Sequence, residues 1–329
     1  SAARADAEES GKADVPCRVT ALKTETSYTA TTFNIGFGAY TPDFTFFMDG
    51  GKQSRAASKE SVETHVNSAL NTVKEFNPDF ALFQEVDTSS TRSYHVNEKE
   101  TAQNAFSEYA SVFAVNYDSP FLFYPFVRPH GASRSGLLTV SSLTVESALR
   151  RSLPVETGFT KLLDLDRCYS VTRIPVDNGK TLCLYDLHLS AYTSDGKIAD
   201  EQLEMLLADM QQEYENGNYV VGGGDFNKDL LGNSGEIFGV STEGYTWAQP
   251  IKTELFEGKN LTLVAPLDEN DPQPSCRNAD APYHEGQLLL TVDGFLVSDN
   301  VTVTGSLVYD TGFAYSDHQP VVMTFTLEP

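Results

Sequence analysis

One stretch of the sequence indicates the fold: Asn216-Gly217-Asn218-Tyr219-Val220-Val221-Gly222-Gly223-Gly224-Asp225-Phe226-Asn227. Apolar residues recur at helical spacing before it and predict a helix over Lys197–Glu215, which Asn216-Gly217 ends. Tyr219-Val220-Val221 is typical of a short buried strand that delivers Asp225 and Asn227 at its end. The glycines predict close approach of the backbone to a ligand. A tight turn closed by the Asp side chain is the alternative.

The first half of the chain repeats this plan. Helical spacing of apolar residues predicts a helix over residues 60–76, ended by Asn77-Pro78, and Phe80-Ala81-Leu82-Phe83 then predicts a buried strand followed by Gln84-Glu85. Two such units, each with acids at the strand's carboxyl end, predict layered sheets with outer helices and a site at that edge. Further strands joined by short turns predict antiparallel pairing: residues 28–35, 137–141, 168–176, 181–189, 288–297, 301–308 and 320–327.

Length and charge limit the classes of protein that fit. The 329 residues suffice for one large α/β domain or two small ones, and the net charge is −23. Such a charge opposes loose binding to nucleic acid, which needs Lys and Arg to neutralise phosphates. A local basic patch can override it, so a nuclease stays open. The four cysteines show no metal-ligand spacing, and we expect isolated buried thiols with no bridge between Cys168 and Cys183.

No internal linker divides the chain, so we expect one domain over residues 16–329. Residues 1–15 are polar and Ala/Glu-rich and predict a disordered linker. The proline-containing segment 232–285 predicts a loop-rich insertion over one face. The sequence contains no stretch of 18 apolar residues, and so it predicts no membrane span. With the acidic charge, the start without Met favours a secreted or cell-surface protein whose export signal or anchor was removed; a cytoplasmic protein is the alternative.

Candidate chemical groups lie beside apolar runs: Asn34, Glu85, His188, Asp225, Asn227, Asp317 and His318. Taken singly, each has a structural alternative; His188, between Leu187 and Leu189, is typical of a satisfied strand histidine. Together they supply carboxylates, amides and imidazoles near strand ends. Such groups suit a hard divalent cation, a general base and donors to a developing oxyanion. They predict metal-assisted attack of water on a phosphate ester and leave the substrate open.

Seven motifs, in chain order, extend over nearly the whole sequence: Thr32-Phe33-Asn34-Ile35, Gln84-Glu85-Val86, Ser135-Gly136-Leu137-Leu138-Thr139-Val140-Ser141, Leu187-His188-Leu189, Gly224-Asp225-Phe226-Asn227, Val292-Asp293-Gly294-Phe295 and Ser316-Asp317-His318-Gln319-Pro320. In this order the chain resembles the endonuclease/exonuclease/phosphatase superfamily. The resemblance implies an α/β fold: a four-layer α/β/β/α sandwich of two mixed, largely antiparallel sheets with outer helices. The site is then expected at one end of the paired sheets.

The resemblance also implies roles for individual residues. Glu85 resembles the principal Mg²⁺ or Mn²⁺ ligand, with Asn34 and Asp317 close by. His318 resembles the general base, oriented by Asp293. The remaining members of the expected catalytic set orient the nucleophile and the phosphate oxygens: His188, Asp225 and Asn227. Independently, oxygen ligands favour Mg²⁺, Mn²⁺ or Ca²⁺ over Zn²⁺.

Loop residues carry the remaining clue to the substrate. In a chain with 46 acids and 23 basic residues, cations close in sequence to the candidate site could bind a second anionic group: Lys52, Arg55, Arg92 and Arg134. Solvated loop charges are the alternative. The aromatic run Phe121-Leu122-Phe123-Tyr124-Pro125-Phe126 predicts either an apolar rim or part of the core.

These observations favour a Mg²⁺- or Mn²⁺-dependent phosphohydrolase acting on a phosphodiester, a phosphorylated small molecule or a lipid headgroup. A nuclease is the second enzyme hypothesis, so nucleic acid is an alternative substrate. A catalytically inactive binding module on the same fold is the alternative of another class. The retained acids and imidazoles argue against it, since a degenerate copy is expected to have lost at least one. Nothing in the sequence predicts an obligate protein partner.

Overall fold

The computed structural model describes residues 21–155, 166–191 and 197–329. The predicted linker over residues 1–15 lies outside this part. The strands are β1 Tyr28–Asn34, β2 Phe80–Asp87, β3 Ala110–Leu122, β4 Gly131–Ser141, β5 Ser147–Ser152, β6 Cys168–Pro175, β7 Thr181–His188, β8 Tyr219–Asp225, β9 Leu261–Val264, β10 Cys276–Arg277, β11 Leu289–Leu290, β12 Asp293–Ser298, β13 Val301–Val308 and β14 Val321–Leu327. The α-helices are α1 Lys59–Glu75, α2 Glu98–Ala105, α3 Lys197–Glu215 and α4 Ser234–Ile237.

The described residues form two six-stranded sheets and one two-stranded sheet. The first has the order β13-β14-β1-β2-β4-β3 and the second β5-β6-β7-β8-β12-β9. Within these two sheets β1–β2 and β7–β8 are parallel, and the remaining neighbours are antiparallel. The predicted class of two mixed, largely antiparallel sheets is confirmed. In each parallel pair a helix lies between the two strands in sequence and directly precedes the second, as the repeated helix-then-strand plan predicts: α1 lies between β1 and β2, and α3 between β7 and β8.

Three apolar layers hold the sandwich together. Buried side chains of both sheets meet at its centre, among them Leu82, Leu184 and Phe295. A second layer packs α1 on the outer face of the first sheet, and a third packs α3 on the outer face of the second. Transfer of this apolar surface from water is the main stabilising contribution to such a fold. Helix, sheet, sheet and helix therefore follow one another, as expected.

Six of these elements were not predicted: β3, β5, β9, α2 and, in the segment expected to be loops, the two-residue β10 and the four-residue α4. β3 and β5 are edge strands, with polar residues facing solvent, and they lack the long apolar run of a central strand. β9 has only four residues, and α2 is short and polar. The strand predicted over residues 288–297 is divided into β11 and β12. No helix in the described part of the chain is long and apolar enough to cross a bilayer.

The segment 232–285 contributes to the second sheet and is not merely a cover. Within it, β9 pairs with β12, through contacts such as Phe295↔Val264. The thiols of Cys168, Cys183 and Cys276 are buried and unbridged, as predicted; Cys17 lies outside the described residues.

The glycine run before Asp225 allows close packing of β8 against its neighbouring strands, and close approach of the backbone to a ligand stays a prediction. A Cβ atom on Gly223 would lie 2.5 Å from the Phe295 ring. Gly224 has a φ of +152°, and a Cβ atom there would lie 2.0 Å from the carbonyl oxygen of Leu187 on the neighbouring strand. A larger residue would therefore displace side chains at position 223 and backbone at position 224.

Candidate active site

The ends of neighbouring strands gather the candidate side chains at one edge of the sandwich. β1 and β2 run parallel and deliver Asn34 and Glu85, while β7 and β8 run parallel and deliver His188 beside Asp225. β12 begins at Asp293, and Asp317 and His318 precede β14. One pocket is lined by most of this set: Glu85, His188, Asp225, Asn227, Asp317 and His318. Asn34 and Asp293 lie behind it and contact members of the set.

Glu85 occupies a β-bulge in β2. The pairing with β4 shifts between Phe83 and Val86, and Glu85 has a φ of +56°, in the left-handed region. A non-glycine residue in that region costs on the order of 1 kcal/mol or more and is found mainly where function requires it. The bulge interrupts the alternation of side chains between the two faces of the strand. Glu85 therefore lines the pocket although Phe83 and Val86 are buried in the core.

Asn34 links the two sheets. Its Nδ2 donates to Asp225 Oδ2 at 3.0 Å and lies 3.4 Å from Glu85 Oε1, while its Oδ1 accepts the Gly36 N–H at 3.0 Å. The amide nitrogen therefore faces the carboxylates. In this orientation Asn34 positions the acids and offers no oxygen towards Glu85. Its predicted role as a metal ligand stays a prediction.

His318 is held by a buried carboxylate. Asp293 Oδ2 lies 2.8 Å from Nδ1 of His318 and also accepts the Ser275 hydroxyl at 2.7 Å. Burial alone would lower the pKa of His318, but the negative charge of Asp293, with further contributions from Asp225 and Asp317, holds this pKa well above its usual value. With Nδ1 donating to Asp293, the lone pair of a neutral His318 is on Nε2.

Asp225 lies between two imidazoles. Its Oδ2 is 3.4 Å from His188 Nε2 and 3.6 Å from His318 Nε2. Burial raises the pKa of Asp225 to about 7, against the opposing charge of His318. Burial, followed by the charges of Arg167 and His318, lowers the pKa of His188 well below its usual value. His188 is therefore a neutral donor near neutral pH.

The residues around Glu85 and Asp317 fit a divalent cation. Burial raises the pKa of Asp317 to about 6; the charge of His318 opposes this shift, and the charge of Glu85 adds to it. Two neighbouring carboxylates that repel each other are stabilised by a hard cation bound to their oxygens. A second cluster of potential ligand atoms belongs to Asp225, Asp293 and His318, which lie within 4.8 Å of one another. There the His318–Asp293 hydrogen bond already uses Nδ1, so this cluster suits proton transfer.

Asn227 forms the turn that sequence analysis gave as the alternative. Its backbone N–H donates to Asp225 Oδ1 at 2.8 Å, and its φ is +49°. The side-chain Nδ2 donates to the carbonyl oxygen of Leu189 at 2.7 Å. Asn227 lines the pocket nonetheless. A role in orienting a phosphate oxygen stays a prediction.

Of the four predicted substrate cations, only Arg92 lines the pocket. Its guanidinium forms two hydrogen bonds with Asp87, at 2.8 and 3.1 Å, and lies 3.8 Å from the centre of the Phe37 ring. Arg55 donates to the carbonyl oxygen of Pro129 at 2.6 Å, and Arg134 lies 3.9 Å from Asp118 on the surface. Lys52 is exposed. The structure does not bring Lys52, Arg55 or Arg134 to the pocket.

Sequence reasoning missed two arginines that line the pocket, Arg167 and Arg277. Arg277 is buried and donates to the carbonyl oxygens of Thr41 and Phe44 at 2.9 and 3.4 Å, and its Nε has no hydrogen-bond partner among the described residues. It lies in the segment 232–285, which the sequence indicated only as loops. A basic residue next to Cys276 carries no pattern that could have distinguished it.

Comparison with known proteins agrees with this geometry. A sequence model of the endonuclease/exonuclease/phosphatase family matches residues 31–318. The structure of an endonuclease/exonuclease/phosphatase from Beutenbergia cavernae aligns with a TM-score of 0.63 at 15% identity, covering 92% of this chain and 72% of that one. ANGEL2, a 2′,3′-cyclic phosphatase, aligns with a TM-score of 0.60 at 15% identity, covering 92% and 96%. The human Nocturnin catalytic domain aligns with a TM-score of 0.56 at 17% identity, covering 92% and 93%. No curated protein sequence matches significantly.

The chain belongs to the endonuclease/exonuclease/phosphatase family, because the family model covers most of its length. It is therefore placed among enzymes that hydrolyse phosphate esters and that generally depend on a divalent metal ion. The structural alignments, at 15–17% identity, support the fold alone.

Proposed function

We propose that this member of the family cleaves a phosphate ester of a small molecule or a lipid headgroup with water, and that it uses Mg²⁺ or Mn²⁺. The observation that carries the proposal is the buried Asp293–His318 contact of 2.8 Å, with Nε2 of His318 directed towards Asp225. A carboxylate-held imidazole can take a proton from water when the ring is neutral, that is, as pH passes its raised pKa.

The residues divide into a base unit and a set of donors. His318 accepts the proton of the attacking water at Nε2, while Asp293 keeps the ring oriented and stabilises the imidazolium. Asp225 lies within reach of that proton and positions the water. His188, neutral and buried, donates from its ring to the phosphoryl oxygens as negative charge develops. Asn227 holds the turn that places Asp225.

Glu85 and Asp317 would hold the divalent cation, because both offer hard oxygen ligands. A bound cation would also reduce the repulsion between their two negative charges. When bound, such an ion supplies charge neutralisation at the phosphate and acidifies water. The Asn34 amide contacts both Glu85 and Asp225 and so holds these two carboxylates near each other across the sheets. The residues that would hold the cation, and His318 itself, belong to the first sheet or precede its strand β14, whereas Asp225, His188 and Asp293 belong to the second.

Charge and size favour a small substrate over long nucleic acid. The pocket carries Arg92, Arg167 and Arg277, whereas the chain as a whole has a net charge of −23. These arginines lie beside the pocket carboxylates and can contact one compact anion, whereas a long polyanion is repelled by the rest of the surface. One structural neighbour is described as a 2′,3′-cyclic phosphatase, which supports a compact phosphodiester among the candidates.

The test is a substrate screen with Mg²⁺ and Mn²⁺, using bis-p-nitrophenyl phosphate, a nucleoside 2′,3′-cyclic phosphate, inositol phosphates, sphingomyelin and plasmid DNA. Hydrolysis of small esters or headgroups with little salt dependence supports the proposal. Efficient plasmid nicking whose rate falls steeply with salt would establish the nuclease instead. An absence of hydrolysis, together with phosphate-ester binding that His318→Ala leaves unchanged, would indicate the binding module.

A further inference from the structure

The tip of the β3–β4 hairpin exposes a continuous apolar run, Phe121-Leu122-Phe123-Tyr124-Pro125-Phe126-Val127. The side chains of Phe123, Phe126 and Val127 are 70%, 84% and 100% exposed. The other large exposed apolar side chains in the described part of the chain are dispersed: Leu267, Tyr283, Leu307 and Tyr309. A contiguous exposed patch of this kind marks an interaction surface. The run is therefore a rim and not part of the core.

The tip has a defined conformation. Leu122 pairs with Gly131 across the hairpin, and the His130 N–H donates to the carbonyl oxygen of Tyr124 at 3.1 Å. The Phe121 and Phe123 ring centroids lie 4.8 Å apart, and the Tyr124 ring lies 5.7 Å from that of Phe47. The rings pack on one another at the surface and leave their outer faces in water. Holding them there costs free energy unless another surface covers them.

The hairpin projects from the edge of the sandwich that carries the pocket. β4 pairs with β2 only as far as Ser135, opposite Asp87, and beyond that point β4 pairs with β3 alone. The free part of the hairpin thus extends past the carboxyl end of β2, where Glu85 lies. His130, which is bonded to the tip, lines the pocket. Whatever covers the tip is consequently brought to the mouth of the pocket.

The local charge differs from that of the whole chain. Between Ser119 and Arg134 the sequence contains two arginines and neither Asp nor Glu, although the chain has 46 acidic residues. Arg128 follows the apolar run directly and is exposed. Lys52, in another loop, is also exposed. The run 121–127 itself therefore carries no acidic side chain that would repel an anionic surface, and Asp118, further down β3, lies 3.9 Å from Arg134.

We propose that residues 121–127 are a membrane-docking element that inserts into the interfacial region of a lipid bilayer. Aromatic rings with adjacent arginines are suited to that region, and seven residues are too few to span it. A bilayer admits a narrow convex tip without a matching groove, whereas a second copy of the chain would have to supply one. Docking itself does not require the proposed hydrolysis; that the substrate is then a phosphate ester of the headgroup layer rests on the proposed function.

Co-flotation with phosphatidylcholine vesicles, with and without phosphatidylserine, tests the proposal. We expect the full chain to float with the vesicles, and more strongly when phosphatidylserine is present. Phe123→Ser combined with Phe126→Ser should lower the partition coefficient on the order of tenfold for each ring removed. Leu307→Ser is the matched control, because Leu307 is a single exposed apolar residue on β13, and it should float like the unmodified chain.

A second pair of variants reports insertion directly. Phe126→Trp should show a blue-shifted emission on adding vesicles, whereas Leu307→Trp should not. Unmodified chain that stays with the soluble fraction, a serine double variant that floats undiminished, or an unshifted Trp at position 126 would each overturn the proposal. So would a concentration-dependent dimer that the double variant abolishes while no vesicles bind. None of these readouts needs turnover, so their failure leaves the proposed hydrolysis standing.

Discussion

Asp225 and Asp293 face each other across the antiparallel strands β8 and β12, and their carboxylates contact opposite nitrogens of one imidazole. Asp293 Oδ2 lies 2.8 Å from Nδ1 of His318, and Asp225 Oδ2 lies 3.6 Å from Nε2. The ladder register places the two residues directly opposite each other, one on each strand. The contact at 2.8 Å orients the ring, and the longer one is too long for a hydrogen bond, so it does not commit Nε2 to Asp225.

The base unit should behave as one group in a mutant cycle. His318→Ala should lower kcat by roughly 10²–10⁴, the usual range for loss of a general base. Asp293→Asn should lose much of the same effect, and the double variant should be little worse than His318→Ala, because Asp293 acts through the ring. Steady-state kinetics on the screened substrate provide the measurement. Losses that multiply independently would contradict the assignment of the dyad.

The pH profile should report the charge next to His318. A general base works when neutral, so activity should be low at acid pH and rise as pH passes the raised pKa of His318. Asp293→Asn removes the carboxylate that favours the imidazolium, so that pKa falls and the rising limb of kcat against pH should move to lower pH. Asp118→Asn, which changes an exposed carboxylate, should leave the limb in place. A limb that does not move would assign the titration to another group.

Metal removal should separate the roles of the two carboxylate clusters. A chelator should abolish hydrolysis, and Mg²⁺ or Mn²⁺ should restore it. Glu85→Gln keeps the shape and removes the charge, so it should raise the metal concentration needed for half-maximal activity by about tenfold or more, with folding unchanged. Metal titrations of activity, and of binding by calorimetry, check this expectation. Full activity in excess chelator would exclude the proposed mechanism.

Asp186 should make folding stability depend on pH. It is buried, accepts the Gln84 amide at 2.8 Å and the Thr139 hydroxyl at 3.3 Å, and burial raises its pKa well above the usual value. The unfolded chain ionises at this residue near pH 4, but the folded chain ionises only at higher pH. Between these two pKa values the free energy of unfolding falls as pH rises, by about 1.4 kcal/mol for each pH unit at this site.

Asp186→Asn should abolish this dependence, since Asn stays neutral. Denaturant melts at about pH 4 and about pH 8 should show the variant gaining stability relative to the unmodified chain at the higher pH. Asp177→Asn, at an exposed position, is the control and should show no such gain. An equal difference between Asp186→Asn and the unmodified chain at both pH values would contradict the burial argument.

Sequence patterns predicted what depends on periodicity and order. The two helix-then-strand units lie where the apolar spacing placed them, and the polar residues after each strand converge because parallel strands end at the same edge. What could not be predicted depends on contacts distant in sequence. The bulge at Glu85 has no local sequence signal. Arg92 is directed inward by Asp87, and the pocket arginine Arg277 is directed by the carbonyl oxygens of residues 41 and 44.

The Asn34–Asp225 hydrogen bond joins β1 of the first sheet to β8 of the second. The pocket therefore takes its groups from both sheets: Glu85, Asp317 and His318 belong to the first sheet or precede its strand β14, and His188, Asp225 and Asp293 belong to the second. Polar contacts such as this one and Gln84–Asp186 join the sheets beside the apolar central layer. Catalytic activity therefore depends on the alignment of the two sheets as well as on the folding of each sheet. Heat or a solvent can loosen the central layer while the hydrogen bonds within each sheet remain. Under such conditions turnover should be lost before the circular dichroism signal of the strands changes. The rate of turnover would then report the alignment of the two sheets.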